Sequence, residues 1–155
     1  MLTFFVIYPL LQDQLKPLLR KDAAGHRALI EPREIRAAGN RDMKDVADYI
    51  KQQENVKSLF AIPTCPLLYP LTGLKNPTRM DYLDPIVAPD FEAELVADLK
   101  AHPPSIIVVE YGFHFWDKYD FGKEFGVAVD GYIHENYTVV RQFGKYTVFV
   151  PKTNR

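Results

Sequence analysis

Ser105-Ile106-Ile107-Val108-Val109-Glu110 is the strongest strand signal in the chain, four β-branched apolar residues in succession closed by an acid. A run without polar alternation is what a strand covered on both faces requires. Just before it, Pro103-Pro104 stops a helix marked by Asp90 as cap candidate and by Glu92 and Glu94 in its first turn. Phe91, Leu95, Val96 and Leu99 fall on one face of that helix. Further upstream, Val56 to Ile62 contains Leu59-Phe60-Ala61-Ile62, a second buried-strand signal that Pro63 ends. Ahead of that, Asn40 can cap a helix with Asp42 and Asp45 in its first turns. Its Met43, Val46, Ala47 and Ile50 keep the i, i+3, i+4, i+7 spacing over about 13 residues.

Helix, buried strand, loop, helix, buried strand is the alternation of a parallel sheet wrapped by helices through right-handed crossovers. The expected class is α/β, a three-layer, Rossmann-like, mostly parallel sheet with helices on both faces. A third helix is expected within Lys123 to Glu135, with Phe125, Val129 and Tyr132 or Ile133 inward, weakened by Gly126 and Gly131. Tyr137 to Phe143 and Tyr146 to Val150 flank Gly144-Lys145, which predicts a closing antiparallel hairpin.

The N-terminal segment is less regular. Met1 to Leu11 is an apolar run of about 11 residues, short of the roughly 20 needed to cross a bilayer. It reads either as a buried helix or strand, or as the stub of a last membrane helix or a segment lying on a bilayer. Gln12 to Ala24, with Leu15, Leu18 and Leu19, suits a short amphipathic helix or arm ended by Gly25, and Ala28-Leu29-Ile30-Glu31 before Pro32 suits a short strand. The expected division is an arm over residues 1–24 and one α/β domain over 25–155.

At 155 residues the chain buries enough surface for a core without staples. Its 19 basic and 20 acidic residues form no run of one sign, so nucleic acid is not an expected partner. One cysteine excludes an internal disulfide and a paired-cysteine metal site, and leaves the compartment open. No glycine-rich phosphate loop, Gly-x-Ser-x-Gly elbow or His-Glu-x-x-His is present, and neither a cofactor nor a metal is expected.

In open α/β sheets ligands gather beyond the carboxyl ends of strands, which points to the loops after Ile62 and after Glu110. In the first, Thr64 or Cys65 can cap a short helix starting at Pro66. A thiol there is either a small packed side chain or an acidified nucleophile. Next, Asn76-Pro77-Thr78-Arg79 with Asp81 either closes a self-bonded turn or presents Arg79 to a phosphate or carboxylate, with Tyr69 and Tyr82 as stacking walls.

The second loop, Glu110-Tyr111-Gly112-Phe113-His114-Phe115-Trp116-Asp117-Lys118-Tyr119-Asp120-Phe121, packs aromatics densely enough to be core, a sugar platform or a membrane-contacting rim. His114, Asp117 and Asp120 would align on a helix as metal ligands but are too few in nitrogen or sulfur for zinc, and Glu110 with Asp117 is a candidate acid/base pair. The candidate ligand-binding residues are Tyr69, Asn76, Thr78, Arg79, Asp81, Glu110 and Trp116, with none assigned as catalytic.

One long pattern goes beyond these local readings. It runs from Ala47-Asp48-Tyr49-Ile50 through the strand ending at Pro63, Leu68-Tyr69-x-Leu71-Thr72-Gly73 and Asn76-Pro77-Thr78-Arg79. It continues through the Leu95 to Leu99 helix with Pro103-Pro104 and the Ile106 to Val109 strand to the Tyr137 to Val150 hairpin. In that order it resembles the C-terminal extracytoplasmic domains of bacterial membrane glycosyltransferases related to the dolichyl-phosphate-mannose protein mannosyltransferases, of GT-C type. It departs from their pattern in having Asn55-Val56-Lys57 where a Gly-Asp turn usually precedes the strand.

The resemblance implies a soluble accessory domain on the extracytoplasmic face of the bacterial inner membrane. Its implied partners are the membrane portion of the same polypeptide, a nearby membrane surface, and a sugar or lipid-linked sugar. The resemblance places catalysis and the lipid-phosphate-sugar site in the membrane portion, so the domain would assist acceptor binding or cover the active site. The alternative is a free-standing soluble α/β enzyme or small-ligand-binding domain that uses the loops after Ile62 and Glu110.

Overall fold

The computed structural model describes residues 19–21, 27–29, 41–112 and 114–153. The chain divides into two units, Met1–Lys44 and Asp45–Arg155. In the first, β1 (Leu19–Lys21) pairs antiparallel with β2 (Arg27–Leu29), Arg20 opposite Ala28. The helix expected over Gln12 to Ala24 therefore does not pass through Leu19–Lys21. The apolar run Met1 to Leu11 lies outside the described residues.

The second unit begins within helix α1 (Arg41–Lys51), whose Met43, Val46, Ala47 and Ile50 are buried at the expected spacing. Asn55 then takes φ +65°, a left-handed conformation that asparagine tolerates better than most residues, and so does the work of a glycine at this turn. Strand β3 (Leu59–Ile62) follows, wholly buried. The chain crosses over through the five-residue helix α2 (Leu68–Thr72) and the longer α3 (Ala88–Ala101) to β4 (Ile106–Glu110), which lies parallel to β3 with Phe60 opposite Ile107.

Asp84, not Asp90, holds the turn that leads into α3, which has no side-chain cap of its own. Its buried carboxylate accepts from the N–H groups of Ile86 and Val87 at 2.8 and 2.9 Å, and its carbonyl accepts from Ala88. Asp90 sits one turn later, where an acid favours the helix dipole without capping.

Beyond β4 come a small hairpin, β5 (His114–Phe115) with β6 (Tyr119–Asp120), then helix α4 (Val127–Asn136), β7 (Tyr137–Phe143) and β8 (Tyr146–Pro151). The four-stranded sheet has the order β3-β4-β8-β7. Only β3 and β4 are parallel; β8 runs antiparallel to both β4 and β7. The mostly parallel, Rossmann-like sheet expected from the sequence is therefore wrong: the sheet is mixed.

The closing hairpin is as expected, with β7 and β8 antiparallel about the two-residue turn Gly144-Lys145, so only one of its strands could have continued the parallel sheet; it is the other, β8, that lies against β4. The turn folds β8 back between β4 and β7, which explains why Tyr146 to Phe149 are buried while most of β7 is exposed.

Strand parity sorts the side chains. Phe60, Ile62, Ile107, Val109 and Phe149 share one face and pack with Leu95 and Leu99 of α3, with Val129 and Ile133 of α4, and with Phe115, Phe121 and Phe125. Each such buried side chain contributes about 1.5–3 kcal/mol. Leu59, Ala61, Ile106, Val108 and Glu110 turn to the other face and are equally buried.

Helix α4 carries little helix preference of its own, and groups outside it hold both its ends. Glu92 Oε1 on α3 accepts from the N–H groups of Ala128 and Val129, the latter at 3.2 Å. At the other end Lys152 Nζ donates to the carbonyls of His134 and Glu135 at 3.0 and 2.8 Å. Acid at the N-terminus and base at the C-terminus both suit the helix dipole. Among the described residues no helix is long and apolar enough to cross a membrane.

Candidate functional site

The parallel pair ends at Ile62 and Glu110, and the chain turns sharply at the first of these, where the Ile62–Pro63 peptide is cis. That turn brings Thr64 and Cys65 onto the face where Glu110 points. Glu110 Oε2 accepts from Thr64 Oγ1 at 2.9 Å and from Cys65 Sγ at 3.3 Å, and Oε1 pairs with Lys145 Nζ from the β7–β8 turn. The carboxylate is buried whereas Lys145 is half-exposed. Tyr111 N–H donates to Lys145 O at 2.8 Å and fixes this turn against the end of β4.

The buried thiol is held in its neutral form. Removal from water pushes the Cys65 pKa well above the ordinary thiol value, and the negative charge of Glu110 pushes it further the same way. Of the two readings of Cys65, the packed side chain is the one the surroundings enforce, since nucleophilic thiols need depressed pKa values and exposure.

The pattern Leu71-Thr72-Gly73 ends α2. Thr72 Oγ1 donates to Leu68 O at 2.7 Å, and Gly73, at φ +74°, sends its N–H to Tyr69 O at 2.8 Å, a left-handed helix stop that disfavours any side chain. Tyr69 returns its hydroxyl to accept the N–H of Ala61 at 3.1 Å, covering the outer edge of β3.

Asn76 to Met80 closes on itself. Asn76 Nδ2 donates to Met80 O at 2.8 Å, Thr78 N–H donates to Asn76 Oδ1 at 2.9 Å, and Thr78 Oγ1 donates to Met80 O at 2.7 Å. Arg79 is directed to α3, where its Nε donates to Asp98 Oδ2 at 3.3 Å and its Nη2 pairs with Glu94. The hydrogen bond from Arg79 holds the Asp98 carboxyl below its usual range. Asp81 stands exposed beyond the turn.

The seven candidate residues thus fall in separate places. Asn76 and Thr78 meet, Arg79 leaves them for α3, Tyr69 serves the sheet edge, and Glu110 is enclosed by Thr64, Cys65 and Lys145. Trp116 stands at the tip of the β5–β6 hairpin, 63% exposed. Because that segment is a hairpin and not a helix, His114, Asp117 and Asp120 do not line one face. His114 pairs across the strands with Asp120, which also takes Lys123 Nζ at 2.9 Å. Among the described residues no three metal-ligating groups converge. Glu110 and Asp117 make no bond to each other, with the first buried and the second exposed.

Two groupings escape sequence reading. Lys145 looks like a plain turn residue; only the fold brings it against Glu110, 35 residues earlier in the chain. Tyr111 Oη donates to Asp130 Oδ1 and lies 3.1 Å from His134 Nε2, with the His134 ring edge-on to Phe149 at 5.4 Å. The i, i+4 spacing of Asp130 and His134 was the visible signal for half of it.

The fold and these sites define a small mixed α/β domain with a buried carboxylate at the end of its parallel pair and an aromatic hairpin packed on the opposite face of the sheet. Comparison with protein-family models, with curated proteins and with solved structures finds no match for the chain.

Proposed function

We propose that the chain is an accessory, extracytoplasmic domain of a polytopic bacterial membrane glycosyltransferase. The parent enzyme resembles the dolichyl-phosphate-mannose protein mannosyltransferases and draws its sugar from a lipid-phosphate donor. The domain does not itself catalyse the transfer; it assists acceptor binding or covers the membrane active site, with the membrane portion of the same polypeptide as its main partner.

The observation that carries this reading is how the resembling segment is used. Its Thr72 and Gly73 end a helix, Tyr69 covers a sheet edge, Asn76 and Thr78 bond each other and Met80, and Arg79 is committed to Asp98 and Glu94. A pattern spent on scaffolding is what a domain needs when the chemistry is done elsewhere. Phosphate recognition would instead leave the guanidinium fork open.

The test is the coding frame that leads into Met1. Membranes from cells expressing that frame whole, and with the Asp45–Arg155 unit deleted, are assayed for transfer of labelled sugar from a polyprenyl-phosphate donor. The reading expects transfer by the whole protein, loss of most of it on deletion, and none by the 155-residue chain alone. A stop codon directly ahead of Met1, or turnover by the isolated chain, overturns it.

A further inference from the structure

The β5–β6 hairpin turns through Phe115–Lys118, closed by Lys118 N–H donating to Phe115 O at 3.1 Å. Its two central residues, Trp116 and Asp117, are both left-handed, at φ +51° and +54°. Such a turn is ordinarily made by Asn-Gly, Asp-Gly or Gly-Gly, and a bulky aromatic in that conformation is an outlier. Strain of this kind persists only where the surroundings fix it, and it concentrates at binding sites.

The surroundings do fix it. Trp116 is held edgewise by Phe115 at 6.2 Å and by Tyr119 at 5.9 Å between ring centroids, and Phe115 is anchored in turn on Phe125 at 5.3 Å. At the base of the hairpin the charges are already matched: His114 and Lys123 pair with Asp120, and Glu124 accepts the N–H of Asp120. At the tip they are not. Among the described residues neither the indole N–H of Trp116 nor the carboxylate of Asp117 has a partner. A rigid base therefore presents an exposed ring, one free donor and one free acceptor on adjacent residues.

From this arrangement we infer that the hairpin tip is a contact site for a neutral pyranose ring, which stacks its C–H face on Trp116 and places hydroxyls on Asp117 and on the indole N–H. A cationic ligand is disfavoured because Lys118 lies 4.8 Å from the centre of the Tyr119 ring, next to the indole. A bilayer is disfavoured because charged residues, Asp117 and Lys118, follow the lone indole where an apolar patch would be needed. The inference deepens the accessory-domain reading by naming what such a domain would hold.

Trp116 is the only tryptophan in the chain, so its emission and its indole N–H resonance report on this tip alone. The full chain is titrated with methyl α-mannopyranoside and methyl α-glucopyranoside, and separately with tetramethylammonium chloride and phosphatidylcholine vesicles. Saturable shifts of the indole resonance by a pyranoside, in the millimolar range, are expected. Asp117→Asn should weaken them about tenfold, the worth of one hydrogen bond to a charged group. Trp116→Gly relieves the left-handed turn, keeps the amide spectrum of Phe125 and Val129, and should abolish the pyranoside shifts at Lys118 and Tyr119.

Shifts that rise linearly without saturation, shifts that survive in Trp116→Gly, or saturation by tetramethylammonium or vesicles in place of the sugars would overturn the inference. The membrane assay above decides the accessory-domain reading independently. Its failure with intact pyranoside binding removes the parent enzyme and leaves the sugar site standing.

Discussion

Two glycines five residues apart are expected to respond to alanine with opposite sign. Gly126 precedes α4 at φ +66°, and a Cβ built on it falls 2.3 Å from Cε2 and 2.5 Å from Cδ2 of the buried Phe121 ring. Left-handed backbone costs a non-glycine residue about 1–2 kcal/mol, and pushing a ring aside in a packed core costs about 1–3 kcal/mol. Gly126→Ala should therefore destabilise by roughly 2–5 kcal/mol.

Gly131 lies inside α4 with nothing within 4 Å of its Cβ position. There alanine removes the entropy cost of a helical glycine, and Gly131→Ala should stabilise by about 0.5–1 kcal/mol. Urea unfolding followed by circular dichroism measures both, provided the slope with denaturant is unchanged. A Gly126→Ala protein within about 0.5 kcal/mol of wild type would refute the packing of Phe121 described here.

Glu92→Ala removes the acceptor at the start of α4 and should cost about 1 kcal/mol, with Glu92→Gln intermediate because it keeps the oxygen and loses the charge; thermal unfolding distinguishes them. Lys145→Met strands the buried Glu110 carboxylate and should cost about 2–3 kcal/mol in urea, whereas Lys123→Met, on an exposed pair, should be near neutral. A neutral Lys145→Met would mean that Glu110 is not enclosed as described. Cys65 has a folded pKa above its unfolded one, so its contribution is complete below the unfolded thiol value and declines as pH rises past it toward the folded value. Above the unfolded thiol value wild type should therefore lose stability with rising pH more steeply than Cys65→Ala in urea titrations at a series of pH values, and equal slopes for the two proteins would contradict a buried neutral thiol.

Elements with a local signature were readable from the sequence. Met43, Val46, Ala47 and Ile50 announce α1 by spacing, and the unbroken apolar runs of β3 and β4 announce burial on both faces. The closing hairpin was announced by Gly144-Lys145, but apolar runs do not say which of its strands lies against β4. The same buried character that marks a parallel strand marks β8, which is buried because it lies between two antiparallel neighbours.

The acid that leads into α3 differs from the expected one for a similar reason. Asp90 and Asp84 are equivalent by residue type, and what favours Asp84 is the Pro85 turn that lets its carboxylate reach Ile86 and Val87. Of the candidate site, the self-bonding of Asn76 and Thr78 is local and was legible as one of two readings. The enclosure of Glu110 depends on Lys145, and the left-handed geometry at Trp116 is one that no propensity favours, so neither could be read from nearby residues.

The fastening of α4 from outside has a consequence for how the domain moves. A helix whose first amides are bonded by α3 and whose last carbonyls are bonded by Lys152 cannot fray from either end without releasing one of those contacts. Its amides should exchange with solvent as one cooperative group with the start of α3 and the tail of β8, and not in the graded pattern of a helix unwinding from its tips. Asp130 and His134 ride on that group, so whatever meets them and Tyr111 meets a surface that opens and closes as a unit.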